Sequence, residues 1–442
     1  MDGSTDIPEI SQKPDTRPFA LMSALVLGVI VVSLLFCAWP RSEAPLRYPD
    51  SFLYIHWPTA SYGPDQPVIP SRRPPGYPLT LRLLGTGEGL MIGQTLFSLL
   101  GFSLLGWSLA RVFGVLLLGG LSLAPALAPW NQAILSESTS LACLAWLFFL
   151  SLEIARSRSQ PDQSSWAVEL LPPVEKRRGR PVLIALWGAV ALYFVLLRDT
   201  NGLVLPFFAL FFVRVGKGAL ALALIFVAAL IIGNTLQANR EGRYQVPYAT
   251  ALLTRTLSQP GELERLKASG MPRYEMPVSD EMREWFDQGG RRIYEFWVLG
   301  RLDSYTDFLA YFDAPDVGEH FLEIYFPKKY RAGPGQAVAA VLWQALALPF
   351  VLFLGLLALP WIDKRLRGRL GIPAITAALL VPFTYGVGFV SYHAAGSEEY
   401  RHMLMALLLY RLAFLLAGLA LLDGVMQRWR IYRSNSALRQ AA

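Results

Sequence analysis

The 442-residue chain is poor in the residues that build most soluble catalytic sites. It has two cysteines, Cys37 and Cys143, and four histidines, His56, His320, His393 and His402. Both cysteines lie inside apolar runs and the histidines are scattered, so neither a disulfide framework nor a metal-ligand motif emerges. Charged residues make up only 17% of the chain, against about 25% in an ordinary soluble domain. There is no G-x-x-x-x-G-K-[ST] loop and no dinucleotide fingerprint, so no cofactor is expected. The net charge of +7 is not the footprint of a nucleic-acid partner. The basic residues sit at the ends of apolar runs, where membrane topology accounts for them.

What the chain has in excess is apolar sequence: 53% hydrophobic residues and a mean hydropathy of +0.37. The excess falls in runs close to the ~20 residues that cross a bilayer. Runs near 19–38, 89–109, 112–129, 138–154, 181–197, 202–214, 218–236, 337–360, 372–392 and 403–424 predict an all-α multi-pass membrane protein with about ten transmembrane helices. Hydrophilic segments at 40–88 and 237–336 divide it. The expected organisation is an N-terminal transmembrane module over 1–236 carrying a first outer loop, 40–88. A loop or cap follows over 237–336, then C-terminal helices and a basic tail over 337–442. Aromatic and charged residues at helical spacing in the cap, as in "DEMREWFDQGGRRIYEFW", predict short amphipathic helices at the membrane surface or packed on the span ends. The start reads as a retained anchor, because no small-residue cleavage site follows the first apolar run.

Placing the N-terminus in the cytoplasm puts 19 Lys and Arg of the alternate segments inside, and leaves only Arg198 and Arg401 in the three short outer loops. That is the positive-inside bias. It sets both termini in the cytoplasm, and a 33-to-7 excess of Arg over Lys points to a GC-rich bacterial genome and hence a plasma membrane. It also gathers every chemically distinctive segment on the outer face: "RYPDSFLYIHWP", "SRRPPGYPL", "ILSES", "RDTNG" and "SEEYRH". The spans themselves are almost free of charge, Arg411 excepted, whereas a transporter concentrates ionisable groups near the midplane.

An acid with a following tyrosine just after the first span, "DSFLY", then "RRPPGYPL" from Arg72 to Leu79, resembles the GT-C glycosyltransferases. The branch in question is that of protein mannosyltransferases and lipid A aminoarabinose transferases, with Arg73 standing where a lysine is usual. The resemblance is best over the first ~140 residues. It implies a polyprenyl-phosphate sugar as donor, a cell-envelope glycan, lipid or protein as acceptor, membrane lipids as surroundings, and a catalytic acid at Asp50.

The residue chemistry suits such a transfer. A base near the acceptor hydroxyl, Asp50, takes the proton. Arginines clamp the departing phosphate bidentately, and Arg72, Arg73, Arg198 and Arg401 are the outer candidates. Direct displacement inverts the anomeric carbon. Tyr54, Tyr77, Glu137, Asp199 and Tyr400 are the candidates for binding sugar or acceptor. Each residue also has a plainer reading. Asp50 caps a helix, Arg72 and Arg73 anchor the interface, Glu137 complements a helix dipole, and "RDTNG" is a turn. No metal is expected. A polymerase or ligase of lipid-linked polysaccharide, or a lipid or sugar transporter, are the alternatives.

Overall fold

A backbone crossing hydrocarbon must satisfy its own hydrogen bonds, so long apolar runs fold as helices. The computed structural model of the chain describes residues 17–40, 44–57, 59–60, 69–70, 73–156, 180–243, 248, 251–252, 261–272, 279–313, 326, 336–346, 372–394, 401–418 and 432. Its first elements are α1 (Arg17–Ala38), the short α2 (Pro49–Ile55) and α3 (Gly76–Leu84). Then come α4 (Glu88–Gly114), α5 (Ser136–Arg156), α6 (Arg180–Leu197), α7 (Leu205–Ala209) and α8 (Lys217–Arg240). The cap segment holds α9 (Glu262–Ala268), α10 (Asp280–Trp285), α11 (Arg291–Leu299) and α12 (Leu302–Asp313). Beyond it lie α13 (Gln336–Ala345), α14 (Ile372–Ala394) and α15 (Arg401–Gly418). A two-residue antiparallel ladder, β1 (Thr59–Ala60) with β2 (Ile69–Pro70), and a parallel bridge between Leu46 and Ala133 interrupt the helices among the described residues.

Among those residues, five helices are long and apolar enough to cross a membrane: Glu88–Leu109, Ser136–Ala155, Arg180–Leu197, Lys217–Arg240 and Arg401–Gly418. The chain is a helical membrane protein. Its helices divide into two kinds. The α5 span is 83% buried inside the protein and α15 78%, whereas α6 and α8 bury 28% and 17%. The latter pair turn Val182, Leu186, Leu222, Ile225, Ile232 and Leu236 outward. A face so apolar would drive aggregation in water and is at home against lipid.

Two of the expected spans take another form. The run 112–129 is the return leg of a hairpin. Gly106 and Gly114 meet backbone to backbone, so that a Cβ on either would collide with the other's carbonyl, and Gly119 lies beside Ser103. The chain therefore turns near Arg111, and its return leg ends in a π turn (Val115–Gly119) and a 3₁₀ turn (Ala128–Gln132). The run 202–214 is not one helix. It breaks into 3₁₀ (Asp199–Val204), α7 and 3₁₀ again (Leu210–Arg214). Pro206 removes a backbone donor there. Phe207, Phe208 and Phe211 pack their rings within 6.0 Å of Phe148 on α5, and Phe212 lies 4.9 Å from Trp187 on α6. Hydropathy registers those phenylalanines but not the broken backbone beneath them.

The described parts of the cap segment are mostly helical, and α12 is docked on α14. Phe308 sits edge-on to Tyr385 of α14 at 5.0 Å, and the ring of His393 contacts the Ser304 carbonyl through Nε2 at 2.9 Å.

A candidate anion-binding centre at one end of the bundle

The first loop is strapped to the segment that leads into α5. Leu46 donates to the Gln132 carbonyl (2.7 Å) and accepts from the Ile134 amide (3.0 Å). Five residues on, Ser51 Oγ donates to the Ile134 carbonyl (2.8 Å), and Tyr54 Oη lies 3.1 Å from Ser136 Oγ. These ties hold α2 against the N-terminus of α5, and so bring Asp50 towards Glu137. Pro49 at the first helical position and the Tyr48 amide bonded to Ser51 Oγ (2.9 Å) start α2. Tyr48, not Asp50, is the N-cap, so the acid is free of the capping role that its place in the sequence allowed.

The "RRPPGY" segment is set by a close approach. A Cβ on Gly76 would fall 2.6 Å from the Leu196 carbonyl oxygen, so only glycine lets α3 abut the end of α6. That contact brings Arg73, three residues earlier, over the Tyr54 ring, with 5.6 Å from guanidinium carbon to ring centre.

The charged groups then close on one another. Arg73 Nη2 pairs with Asp50 Oδ1. Arg401, the first residue of α15, donates through Nη2 to Asp50 Oδ2 (2.6 Å) and through Nε to Glu137 Oε1. Arg198, just past α6, donates to the same Glu137 oxygen (3.1 Å) and meets His402 Nδ1 at 2.8 Å. Three guanidiniums thus surround two carboxylates, an excess of one positive charge. Glu137 and Arg401 are 2% and 3% exposed, whereas Asp50 and Arg73 are 23% and 31% exposed. The cluster is therefore sealed at Glu137 and open at Asp50. Glu137 Oε2 is buried without a hydrogen-bond partner, an acceptor awaiting a donor.

Burial pushes the Asp50 carboxyl up, but Arg73 and Arg401 beside it outweigh burial and hold it at about 2, against an ordinary 3.8. Asp50 is ionised at neutral pH, with each oxygen held by an arginine.

Of the sequence candidates, Asp50, Arg73, Glu137, Arg198 and Arg401 come together. Arg72 and Tyr400 lie outside the described residues. Tyr54 and Tyr77 are brought in beside them, each held by contacts within the protein. Tyr77 is fully buried and donates to Gln94 Oε1 (3.0 Å) and the Ala133 carbonyl (3.3 Å). Tyr54 stacks edge-on against it at 5.0 Å and holds Ser136. Burial raises the pKa of both phenols, so they remain protonated. Asp199 pairs with Arg243 (2.6 Å), outside the cluster of five. Sequence reasoning passed over His402 and Gly76. The only local hints were the position of His402 next to Arg401 at the lip of a span, and of Gly76 behind two prolines.

One surplus positive charge, with Arg73 partly open to one side, suits a singly charged oxyanion such as a phosphate diester. No group of three or more His, Cys, Asp or Glu that would hold a metal ion occurs among the described residues. Comparison with protein-family models, with curated proteins and with solved structures finds no match to this chain.

Proposed function

We propose that this protein is a GT-C-type glycosyltransferase. It moves a sugar from a polyprenyl-phosphate donor to a cell-envelope acceptor with inversion at the anomeric carbon. The observation that carries the reading is Arg401, which holds Asp50 with one nitrogen and Glu137 with another while Arg73 and Arg198 flank it.

In the transfer, the acceptor oxygen attacks the anomeric carbon and gives its proton to Asp50. The bond from that carbon to the phosphate oxygen breaks, and the polyprenyl phosphate departs with the electron pair. Its new charge falls among the arginines, where fixed donors stabilise it. A carboxylate held at about 2 is a feeble base. The donor phosphate removes that obstacle by drawing Arg73 and Arg401 off Asp50. Loss of two cationic partners returns the carboxylate towards its ordinary basicity.

The membrane setting agrees with this reading. The cluster lies at the N-termini of α5 and α15 and the C-terminus of α6, hence at one end of the bundle. Arg111, Arg214 and Lys217 lie at the other end. With the positive-inside rule, this arrangement supports an extracytoplasmic position for the cluster.

Native mass spectrometry with a polyprenyl phosphate and the corresponding polyprenol tests the seat. The phosphate should be retained and the alcohol lost, and Arg73→Gln should cut phosphate retention about tenfold through loss of one charge-assisted contact. Equal retention of the two lipids would sink the assignment.

A further inference from the structure

A second polar centre lies where α8 ends, and nothing in the transfer chemistry above uses it. Arg243 follows α8 and folds back on it, its amide bonded to the Ala238 carbonyl at 2.9 Å. Its guanidinium is 1% exposed, and Nη1 donates to Asp199 Oδ1 at 2.6 Å. Asn234 Nδ2 donates to the same oxygen at 3.1 Å. Arg243 Nε lies 3.1 Å from Glu241 Oε2 but out of line for a hydrogen bond. Nε and Nη2 of Arg243 and Oδ1 of Asn234 are all buried without a hydrogen-bond partner. Such groups are costly to leave unmade. Asp199 and Glu241 remain 37% and 40% exposed, so the centre opens on its acidic side.

The unfilled positions select a ligand chemistry. A bare anion would bring its charge onto Asp199 and Glu241. A cation would meet the guanidinium of Arg243. A vicinal diol does neither, since each hydroxyl both donates and accepts. It can accept from Arg243 Nε and Nη2 while donating to Asn234 Oδ1 and the open carboxylate oxygens.

We infer that Asn234, Asp199, Glu241 and Arg243 form a hydroxyl-recognition subsite for a sugar or similar polyol. Asp199 directly follows Arg198 in the chain, so the subsite and the anion centre share one stretch of backbone. Which polyol it takes, the transferred sugar or the acceptor, rests on the proposed transfer reaction. The subsite itself does not.

The test uses the full chain in lipid nanodiscs and a methyl hexopyranoside bearing a photoreactive diazirine. Labelling should map to the peptide carrying residues 234–243 and be competed by unlabelled methyl hexopyranoside. Asn234→Leu should reduce it about tenfold, as loss of polar contacts in a buried site does, and Asp199→Asn, which keeps volume and fold, several-fold. Arg73→Gln should leave it intact. Label on other peptides, labelling equal in wild type and both subsite variants, or competition by inorganic phosphate in place of the glycoside would overturn the subsite. Failure of polyprenyl phosphate to bind while this labelling persists would strike the transfer reaction alone.

Discussion

Asp50 and Asp199 are both carboxylates at the same end of the bundle, both drawn up by burial, yet they end on opposite sides of the ordinary value. Asp50 meets two guanidiniums, Arg73 and Arg401, and is held at about 2. Asp199 meets one, Arg243, which together with Asn234 does not overcome burial, and Glu241 nearby adds to the rise. The number of cationic partners, more than depth, decides which acid resists protonation. The pair also differ in what they leave open. Around Asp50 the cations outnumber the acids, and around Arg243 the acids outnumber the cation.

The largest effect is expected on removing the shared cation. Arg401→Leu strips a partner from both Asp50 and the buried Glu137. Breaking a buried pair in this way costs about 3–5 kcal/mol, to be read by chemical unfolding in detergent. Arg401→Lys should recover only part of it, because an ammonium cannot fork between two carboxylates. An Arg401→Leu protein as stable as wild type would mean that the cluster is no structural unit.

Next in size is turnover. Asp50→Asn should lower sugar transfer by about 10²–10⁴ while polyprenyl phosphate still binds. Full transfer activity in this variant would remove the base assignment.

A smaller effect sets the two acids directly against each other. Because the folded pKa of Asp50 lies below 3.8, its stabilisation is complete above that value and drains away as pH falls towards about 2. Asp199 has a raised pKa, so its contribution is fullest in acid and declines as pH rises through its folded value. A pH series of unfolding midpoints should show a smaller acid loss in Asp50→Asn than in wild type.

The smallest effect is Asp199→Asn, which should shift stability at neutral pH by no more than about 1 kcal/mol. A much larger loss would mean that Asp199 is as tightly bound to its cation as Asp50 is to its pair.

How much of this was legible in the sequence depends on how local the cause is. The long apolar helices are visible in composition, since about 20 apolar residues have few other uses. The outer arginines and acids could be singled out because a charge beside a span is conspicuous. Their pairing could not. Arg401 reaches Asp50 across 351 residues and Glu137 across 264, and no local pattern encodes such a contact. The packing of the tyrosines is equally non-local. Their residue type and placement suit carbohydrate binding, but their burial depends on Gln94, Ala133 and Ser136 from other segments. The run 202–214 misled because hydropathy is indifferent to Pro206 and to helix type. Arg243 and Asn234 carry no local signal either, since what joins them is Asp199, 44 and 35 residues away.

One consequence concerns biogenesis. Asp50 and Glu137 are synthesised before the cation they share, Arg401, which follows them by 351 and 264 residues. Until α15 is in place, Asp50 has Arg73 and Glu137 has Arg198, and the set carries no surplus charge. The surplus positive charge of the cluster thus exists only once α15 has packed against α5.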